Sequence, residues 1–229
     1  MRILITGTTS GIGFEIVKLL NCEIVELNRT VVDLDHPELI TDNHVPLVDI
    51  VINNAGHDIG GKVLFAEHEF AHWQRIINTN LVSAMRITQL AIQKNPNLTV
   101  INITSSNNDK YWGNDLVYSL SKVALEHFGK MLEIDYPNIT VKEARIGLTK
   151  TNFNNSRYQL DHKPIDDLYS NEHLLPATVA NKIINFLVTS DNHFLRISKW
   201  KTSTDGSYII GIMNPVANAV YVAPVAQEP

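Results

Sequence analysis

The chain has 229 residues, of which 44% are hydrophobic and 19% are charged, and its formal net charge is −5. This composition is that of an ordinary globular protein with a sizeable core, and the acidic balance argues against nucleic acid as a partner. Cys22 is the only cysteine, which excludes an intrachain disulfide and suits a cytoplasmic compartment, and no apolar run reaches the roughly 18 residues of a membrane span.

Six short apolar segments alternate with segments of helical periodicity. The predicted strands are RILITG, EIVELN, VDIVINNAG, LTVINITS, TVKEARIG and HFLRIS, in chain order. The predicted helices cover Ile12–Leu20, about Glu67–Gln93, Tyr118–Ile134 and Ala177–Val188. This alternation predicts an α/β fold with a doubly wound parallel sheet. No linker composition interrupts it, so we expect a single domain over residues 1–229.

The first strand opens the chain as MRILITG, without the long apolar stretch of a secretory signal. Gly7, Gly11 and Gly13 follow it at the turn into the first helix. Glycine permits positive φ and lets a ligand approach the backbone closely. The N–H groups at the start of the helix attract anions, so the turn predicts a pyrophosphate site. The alternative is a glycine turn that binds nothing.

The stretch HEFAH, from His68 to His72, matches the H-E-x-x-H pattern of zinc hydrolases. On a helix its two imidazoles would share a face, and Glu69 would be the general base. A third ligand is missing at the usual positions, where the chain has Arg75 and Asn78. We therefore interpret the match as a coincidence and expect no metal.

Tyr118 and Lys122 lie four residues apart in YSLSK, on one face of a predicted helix. They could be a surface pair. However, a phenol with a pKa near 10 is a poor proton donor at neutral pH, and a nearby ammonium lowers that pKa by stabilising the phenolate. Hydride transfer to a carbonyl leaves an alkoxide that needs such a proton at once.

Two segments interrupt the regular pattern. Residues 152–176 are polar and contain prolines, and we expect them to form a loop over the substrate. Residues 202–229 are apolar in places without helical periodicity. This atypical tail could be an arm that covers a dimer partner, an extra strand, or a disordered segment.

The series TGTTSGIG, NNAG, NTNL, NITS, YSLSK and RIGLTKT, in this order, resembles the motifs of the short-chain dehydrogenase/reductase family. The resemblance runs from about residue 2 to about residue 190. It implies a Rossmann-like sheet and an oxidoreductase that transfers hydride between a nicotinamide dinucleotide and a small carbonyl or secondary alcohol. It also implies a homodimer or homotetramer, formed through the helices at 70–93 and 118–134.

The resemblance assigns the catalytic residues. Tyr118 would be the acid/base, and Lys122 would lower its pKa and bind the nicotinamide ribose. Ser105, thirteen residues before Tyr118, would hold the substrate carbonyl, with the adjacent Ser106 as second choice. Asn80 in NTNL would support a water relay to the lysine.

The resemblance also predicts the cofactor contacts. Family members have a helix after the second strand, but only TVV separates Arg29 from Asp33, so this region is predicted to be shortened. Arg29 suits a ribose 2′-phosphate, which favours NADP(H) over NAD(H), although it could also lie in solvent. The predicted contacts are Gly7, Thr9, Ser10, Gly11, Ile12, Gly13, Asn28, Arg29, Asp33, Leu34, Asn53, Asn54, Ala55, Gly56, Tyr118, Lys122, Ile146, Gly147, Thr149 and Thr151.

A second hypothesis is a non-catalytic dinucleotide-binding sensor or scaffold with the same fold. Such proteins typically lose the tyrosine or the lysine. Both residues are present here, so the enzyme is the preferred interpretation.

Overall fold

The structure is a computed structural model that describes residues 1–61, 63–109, 114–154, 173–189, 191–201 and 208–211. These residues form a seven-stranded sheet with the order β2-β1-β3-β4-β5-β6-β7. The first six strands are parallel and β7 is antiparallel to β6, which confirms the doubly wound parallel sheet. The strands are β1 Arg2–Thr6, β2 Glu23–Leu27, β3 Ile50–Asn53, β4 Thr99–Ser105, β5 Thr140–Ile146, β6 Phe194–Lys201 and β7 Tyr208–Gly211.

The described helices confirm the predicted helical segments. They are α1 Gly11–Leu19, α2 Phe70–Ile77, α3 Ser83–Lys94, α4 Leu116–Asp135 and α5 Pro176–Thr189. The predicted continuous helix at 67–93 is divided, because a π-helical turn over Asn78–Val82 joins α2 to α3. Within the described ranges, no helix is long and apolar enough to cross a membrane.

Successive side chains of a strand point to opposite faces of the sheet, and a hydrophobic core lies on each face. Ile3 and Ile5 of β1 point to one face, where they pack with Ile16 of α1 and Ile183 of α5. Leu4, between them, belongs to the opposite core with residues of α3 and α4. Because the central strands are covered on both faces, their sequences are almost continuous apolar runs.

The region after β2 is shortened, as predicted. Between β2 and β3 the chain forms only turns and two short 3₁₀ helices, Pro37–Leu39 and Asp42–His44. Apolar side chains of this segment still join the second core, including Leu34 and Ile40. β2 is therefore an edge strand of the sheet.

The two irregular segments are described only in part. Tyr208–Gly211 of the tail pairs with β6, so this portion is an extra strand rather than an arm. Residues 202–207 and 212–229 of the tail lie outside the described residues, as do residues 155–172 of the expected substrate loop.

Candidate active site at the carboxyl ends of the strands

A cavity of about 580 Å³ opens at the carboxyl ends of the parallel strands. In open α/β sheets this edge, where the strand order reverses, is the usual place for a ligand. The predicted site residues line the cavity with three exceptions, which are Gly13, Asn53 and Asn80. The cavity therefore brings the other predicted cofactor and catalytic residues to one place.

The glycine turn forms the middle of the cavity. Gly7 and Gly11 have φ of 69° and 63°, values that favour glycine. A Cβ on Gly7 would lie 2.8 Å from the Ala55 Cα, so a side chain there would collide with the next turn. Thr9, Ser10 and Ile12 also line the cavity, where the first N–H groups of α1 have no partner within the helix.

Gly13 has a different role from the other two glycines. A Cβ on Gly13 would lie 2.3 Å from the Gly7 carbonyl oxygen and 2.5 Å from the Asn54 side-chain nitrogen. The absence of a side chain therefore lets α1 pack closely against the turn that follows β1. Gly13 does not line the cavity, but its contacts with Gly7 and Asn54 fix the position of the turn that does.

The turn after β3 is fixed to β1. The Thr6 hydroxyl oxygen accepts the N–H groups of Asn54 and Ala55 at 3.0 and 2.8 Å, which ends β3 earlier than the sequence predicts. Asn54 donates to the Thr6 and Gly7 carbonyls at 2.8 and 3.0 Å. Asn53 points away from the cavity and donates to Asn102 at 2.9 Å.

One end of the cavity lies at the carboxyl end of β2. Asn28 donates to the Thr8 hydroxyl at 3.2 Å, and its own oxygen accepts from Thr30. Arg29 is exposed, and it lines the cavity together with Asp33 and Leu34. The shortened segment therefore reaches the cavity, and the adenine contact expected of Asp33 and Leu34 stays a prediction.

Tyr118 and Lys122 lie on the first turns of α4, and both side chains are buried, at 8% and 4% exposure. The Lys122 nitrogen lies 6.0 Å from the centre of the Tyr118 ring and donates to the Ile103 carbonyl at 3.0 Å. Burial lowers the pKa of Lys122 to about 8. The Tyr118 ring also packs on Phe153, at 5.5 Å between ring centres.

Asn80 lies behind this pair, in the π-helical turn. Single π-helical turns inside α-helices are frequently found at functional sites. The Asn80 amide accepts from the His57 N–H at 2.9 Å and donates to the His57 carbonyl and the Ser121 hydroxyl at 3.0 Å. A Cβ on Gly56 would lie 3.1 Å from the Asn80 oxygen and 3.2 Å from the Lys122 nitrogen.

Ser105 ends β4 and lines the cavity beside Ser106 and Asn107. Its hydroxyl oxygen accepts the Asn107 N–H at 3.2 Å, which fixes the turn that follows the strand. Asn107 donates in turn to the buried carboxylate of Asp115, which precedes α4, at 2.5 Å. These contacts tie the end of β4 to the beginning of the helix that carries Tyr118.

The segment after β5 closes the other end of the cavity. Ile146, Gly147, Thr149 and Thr151 all line it. The buried Thr149 hydroxyl donates to the Gly147 carbonyl at 2.9 Å. The Thr151 methyl group lies 3.2 Å from the Cβ that Gly11 lacks, so this segment faces the glycine turn.

One cluster in the cavity wall was missed by sequence reasoning. The buried Asp35 carboxylate accepts from His57 Nε2 at 2.8 Å, from Arg75 Nε at 2.6 Å and from the Thr79 hydroxyl. Burial by itself would raise the pKa of Asp35, but these three hydrogen bonds hold it far below its usual range. In the sequence, this cluster is indicated only by Asp35, the second acid of DLD, and by His57, which directly follows NNAG.

The zinc pattern does not assemble a larger site among the described residues. The His68 and His72 rings lie 6.3 Å apart between centres, and His72 is 3.7 Å from the Glu69 carboxylate. The described part of the chain contains no group of three potential metal ligands.

The chain is similar to several curated reductases. An acetoacetyl-CoA reductase of Cupriavidus necator is 30% identical over 142 residues, which cover 58% of this chain and 57% of that protein. An acetoacetyl-CoA reductase of Acinetobacter sp. is 29% identical over 185 residues, covering 65% and 74%. A ketoacyl reductase of Nostoc sp. is 38% identical over 81 residues, covering 34% and 28%. The match spans less than two thirds of two of these relatives.

Solved structures share the fold. A serine dehydrogenase in complex with NADP⁺ has a TM-score of 0.74 at 20% identity, covering 86% of this chain and 94% of that one. A 4-hydroxyisoleucine dehydrogenase in complex with NADH has a TM-score of 0.68 at 21% identity, covering 83% and 91%. At about 20% identity, these similarities establish a shared fold only.

A parallel sheet with a cavity at the carboxyl ends of its strands is the architecture of α/β proteins that bind a nucleotide at this edge. The model of the short chain dehydrogenase family matches residues 39–161, which is over half of the chain. The chain therefore belongs to the short-chain dehydrogenase family.

Proposed function

We propose that the protein is an NADP(H)-dependent carbonyl reductase or alcohol dehydrogenase. The observation that carries this proposal is the buried pair of Tyr118 and Lys122, which shares one cavity with Ser105 and the glycine turn. The names of the curated relatives, acetoacetyl-CoA reductase and ketoacyl reductase, support a carbonyl compound as substrate.

The residues of the cavity fit a dinucleotide. The positive φ of Gly7 and Gly11 lets a pyrophosphate approach the N–H groups at the start of α1, whose dipole favours the negative charge. Arg29 supports NADP(H), because its guanidinium can bind a 2′-phosphate in bidentate geometry. When bound, the nicotinamide would supply or accept the hydride.

The chain's own groups would then bind the substrate and move a proton. The Ser105 hydroxyl donates a hydrogen bond to the substrate oxygen, where negative charge develops. The Tyr118 hydroxyl gives its proton to that oxygen during reduction and recovers it during oxidation. The Lys122 ammonium favours the phenolate form of Tyr118 and binds ribose hydroxyls. Asn80 holds the turn that packs against Lys122 and supports a proton relay through water.

The protein is also proposed to form a homodimer or homotetramer. The helices predicted to form the interface expose apolar side chains, with Leu120 and Ile134 of α4 at 57% and 69% exposure and Phe70 of α2 at 64%. Burying such a surface against a second copy would be favourable. A cytoplasmic location is also proposed, and it rests on the single cysteine, Cys22.

The experiment is a Tyr118→Phe substitution, assayed with carbonyl substrates by following NADPH absorbance. Loss of the hydroxyl should lower turnover by about a thousandfold or more, while the dissociation constant for NADPH changes by less than about threefold. A Ser119→Ala variant, one residue further along the same helix, is the control. Turnover that survives in Tyr118→Phe contradicts the proposal, and a wild type that binds NADPH without any turnover favours the sensor hypothesis.

A further inference from the structure

His57 is a buried histidine in the cavity wall, and its two ring nitrogens differ in their hydrogen bonding. It is 8% exposed and lines the cavity. Nε2 lies 2.8 Å from the Asp35 carboxylate. Among the residues that the structure describes, no group hydrogen-bonds to Nδ1. An unpaired polar atom in a buried position is costly, which suggests that a ligand satisfies it.

The contacts of Asp35 determine which nitrogen carries the proton in neutral His57. Asp35 also accepts from the Arg75 Nε–H at 2.6 Å and from the Thr79 hydroxyl, so it is an ionised carboxylate with no proton to donate. Nε2 must therefore carry the hydrogen that Asp35 accepts. Neutral His57 then presents Nδ1 as a hydrogen-bond acceptor.

The backbone of His57 is fixed as well. Asn80 binds both its N–H and its carbonyl, and the ring is bound by Asp35 on the other side. Because both ends are fixed, the acceptor has a defined position before any ligand binds. Pre-organisation of this kind increases affinity, since little freedom is lost on binding.

The position of the acceptor indicates the part of the ligand that it meets. The proposed function puts the phosphates at Gly7–Ile12 and the nicotinamide beside Tyr118. His57 is bound to Asp35, in the segment after β2 that also supplies Asp33 and Leu34 to the cavity wall. β2 lies on the other side of β1 from β4 and β5, and so from the end of the cavity that holds Tyr118. The adenosine half of the dinucleotide is the portion that remains for this end.

We propose that His57 Nδ1 accepts a hydrogen bond from the adenosine half of the dinucleotide, and that the Asp35–His57 pair thereby selects ligands with a donor group there. The donor is either the exocyclic amine of adenine or a hydroxyl of the adenosine ribose. This inference rests on the proposed function, because it assumes that the cavity binds a dinucleotide.

The test measures dissociation constants for three ligands by fluorescence. NADPH carries both donors, its hypoxanthine analogue replaces the amine with a carbonyl, and reduced nicotinamide mononucleotide lacks adenosine. If the amine is the donor, wild type binds NADPH about tenfold more tightly than the analogue, and His57→Phe removes this difference. If a ribose hydroxyl is the donor, His57→Phe weakens both dinucleotides about tenfold. Either way the mononucleotide is unaffected.

Two further variants separate recognition from folding. His57→Gln retains an acceptor oxygen and should recover part of the affinity for NADPH. The control is His36→Phe, since His36 is exposed and follows Asp35 directly in the chain. Wild-type affinity of His57→Phe for all three ligands would overturn the inference, as would equal loss for the mononucleotide. A wild type that binds no dinucleotide would instead contradict the proposed function.

Discussion

The side-chain amide of Asn80 binds both backbone polar atoms of His57. Its oxygen accepts the His57 N–H at 2.9 Å, and its nitrogen donates to the His57 carbonyl at 3.0 Å. The π-helical turn between α2 and α3 is thereby joined to the turn after β3, beside Lys122. A residue predicted to act in a proton relay thus also determines the shape of the cavity wall.

Removing this amide should destabilise the protein. Asn80→Ala leaves two buried backbone groups of His57 without partners, so the free energy of unfolding should fall by about 2–4 kcal/mol. Urea unfolding at about pH 7 measures it. Asn97→Ala, at an exposed asparagine, is the control and should change stability by less than about 0.5 kcal/mol. Equal stability of the two variants would contradict the structural role of Asn80.

Lys122 should reduce the stability of the protein in the absence of ligand. Its folded pKa of about 8 lies below the ordinary value of 10.5, so burying the ammonium costs about 3 kcal/mol at pH values below 8. Above pH 8 the folded protein releases this proton while the unfolded chain keeps it. The lysine's contribution to stability therefore rises with pH between about 8 and 10.5.

Lys122→Met tests whether burying the ammonium lowers the stability of the protein. At about pH 7 it should be more stable than wild type by about 1–3 kcal/mol, the loss of the bond to the Ile103 carbonyl offsetting part of the gain. The difference should shrink as pH rises from 8 to 10. Lys130→Met, on the exposed side of α4, is the control. A pH-independent difference, or a less stable Lys122→Met, would contradict the buried ammonium.

Arg29 should distinguish the two dinucleotides. Arg29→Ala removes a charge-assisted contact to the 2′-phosphate, so the dissociation constant for NADPH should rise by about 10- to 100-fold, while that for NADH stays within about threefold. Titration of intrinsic fluorescence measures both constants. Lys18→Ala, an exposed lysine on α1, controls for a general loss of positive charge. Parallel changes for NADPH and NADH would assign Arg29 no part in selectivity.

Leu120 should lie in the interface between subunits. Leu120→Glu puts a charge into the apolar surface of α4, which should convert the oligomer into monomers. Size-exclusion chromatography with light scattering measures the mass. Leu47→Glu, at a residue 60% exposed in a turn before β3, should leave the oligomer intact. A wild type that is already monomeric would contradict the proposed interface.

The sequence predicted the main elements of the sheet because apolar runs bounded by turn residues are local signals. Even the loss of the helix after β2 could be predicted, since TVV is too short to form one. The π-helical turn at Asn78–Val82 could not, because a helix with one wider turn keeps nearly the same periodicity. β3 ends earlier than predicted because the Thr6 hydroxyl, far away in sequence, takes the next N–H groups.

The site was predictable where its residues belong to ordered motifs, as with Tyr118, Lys122 and Ser105. Asp35 and His57 form no motif, because 22 residues separate them and their contact depends on how the shortened segment folds. Asn53 belongs to NNAG, but its side chain donates to Asn102 of the neighbouring strand and does not line the cavity. This contact depends on the register between β3 and β4, which the sequence motif does not contain.

Transfer of deuterium tests the central claim most directly. Wild-type protein is incubated with a reactive carbonyl compound and NADPH that carries deuterium at one of the two positions on C4 of the nicotinamide. The account predicts one deuterium on the former carbonyl carbon, from one C4 position only, and no transfer by Tyr118→Phe. A product whose new C–H hydrogen comes from solvent, or equal transfer by Tyr118→Phe, would contradict it.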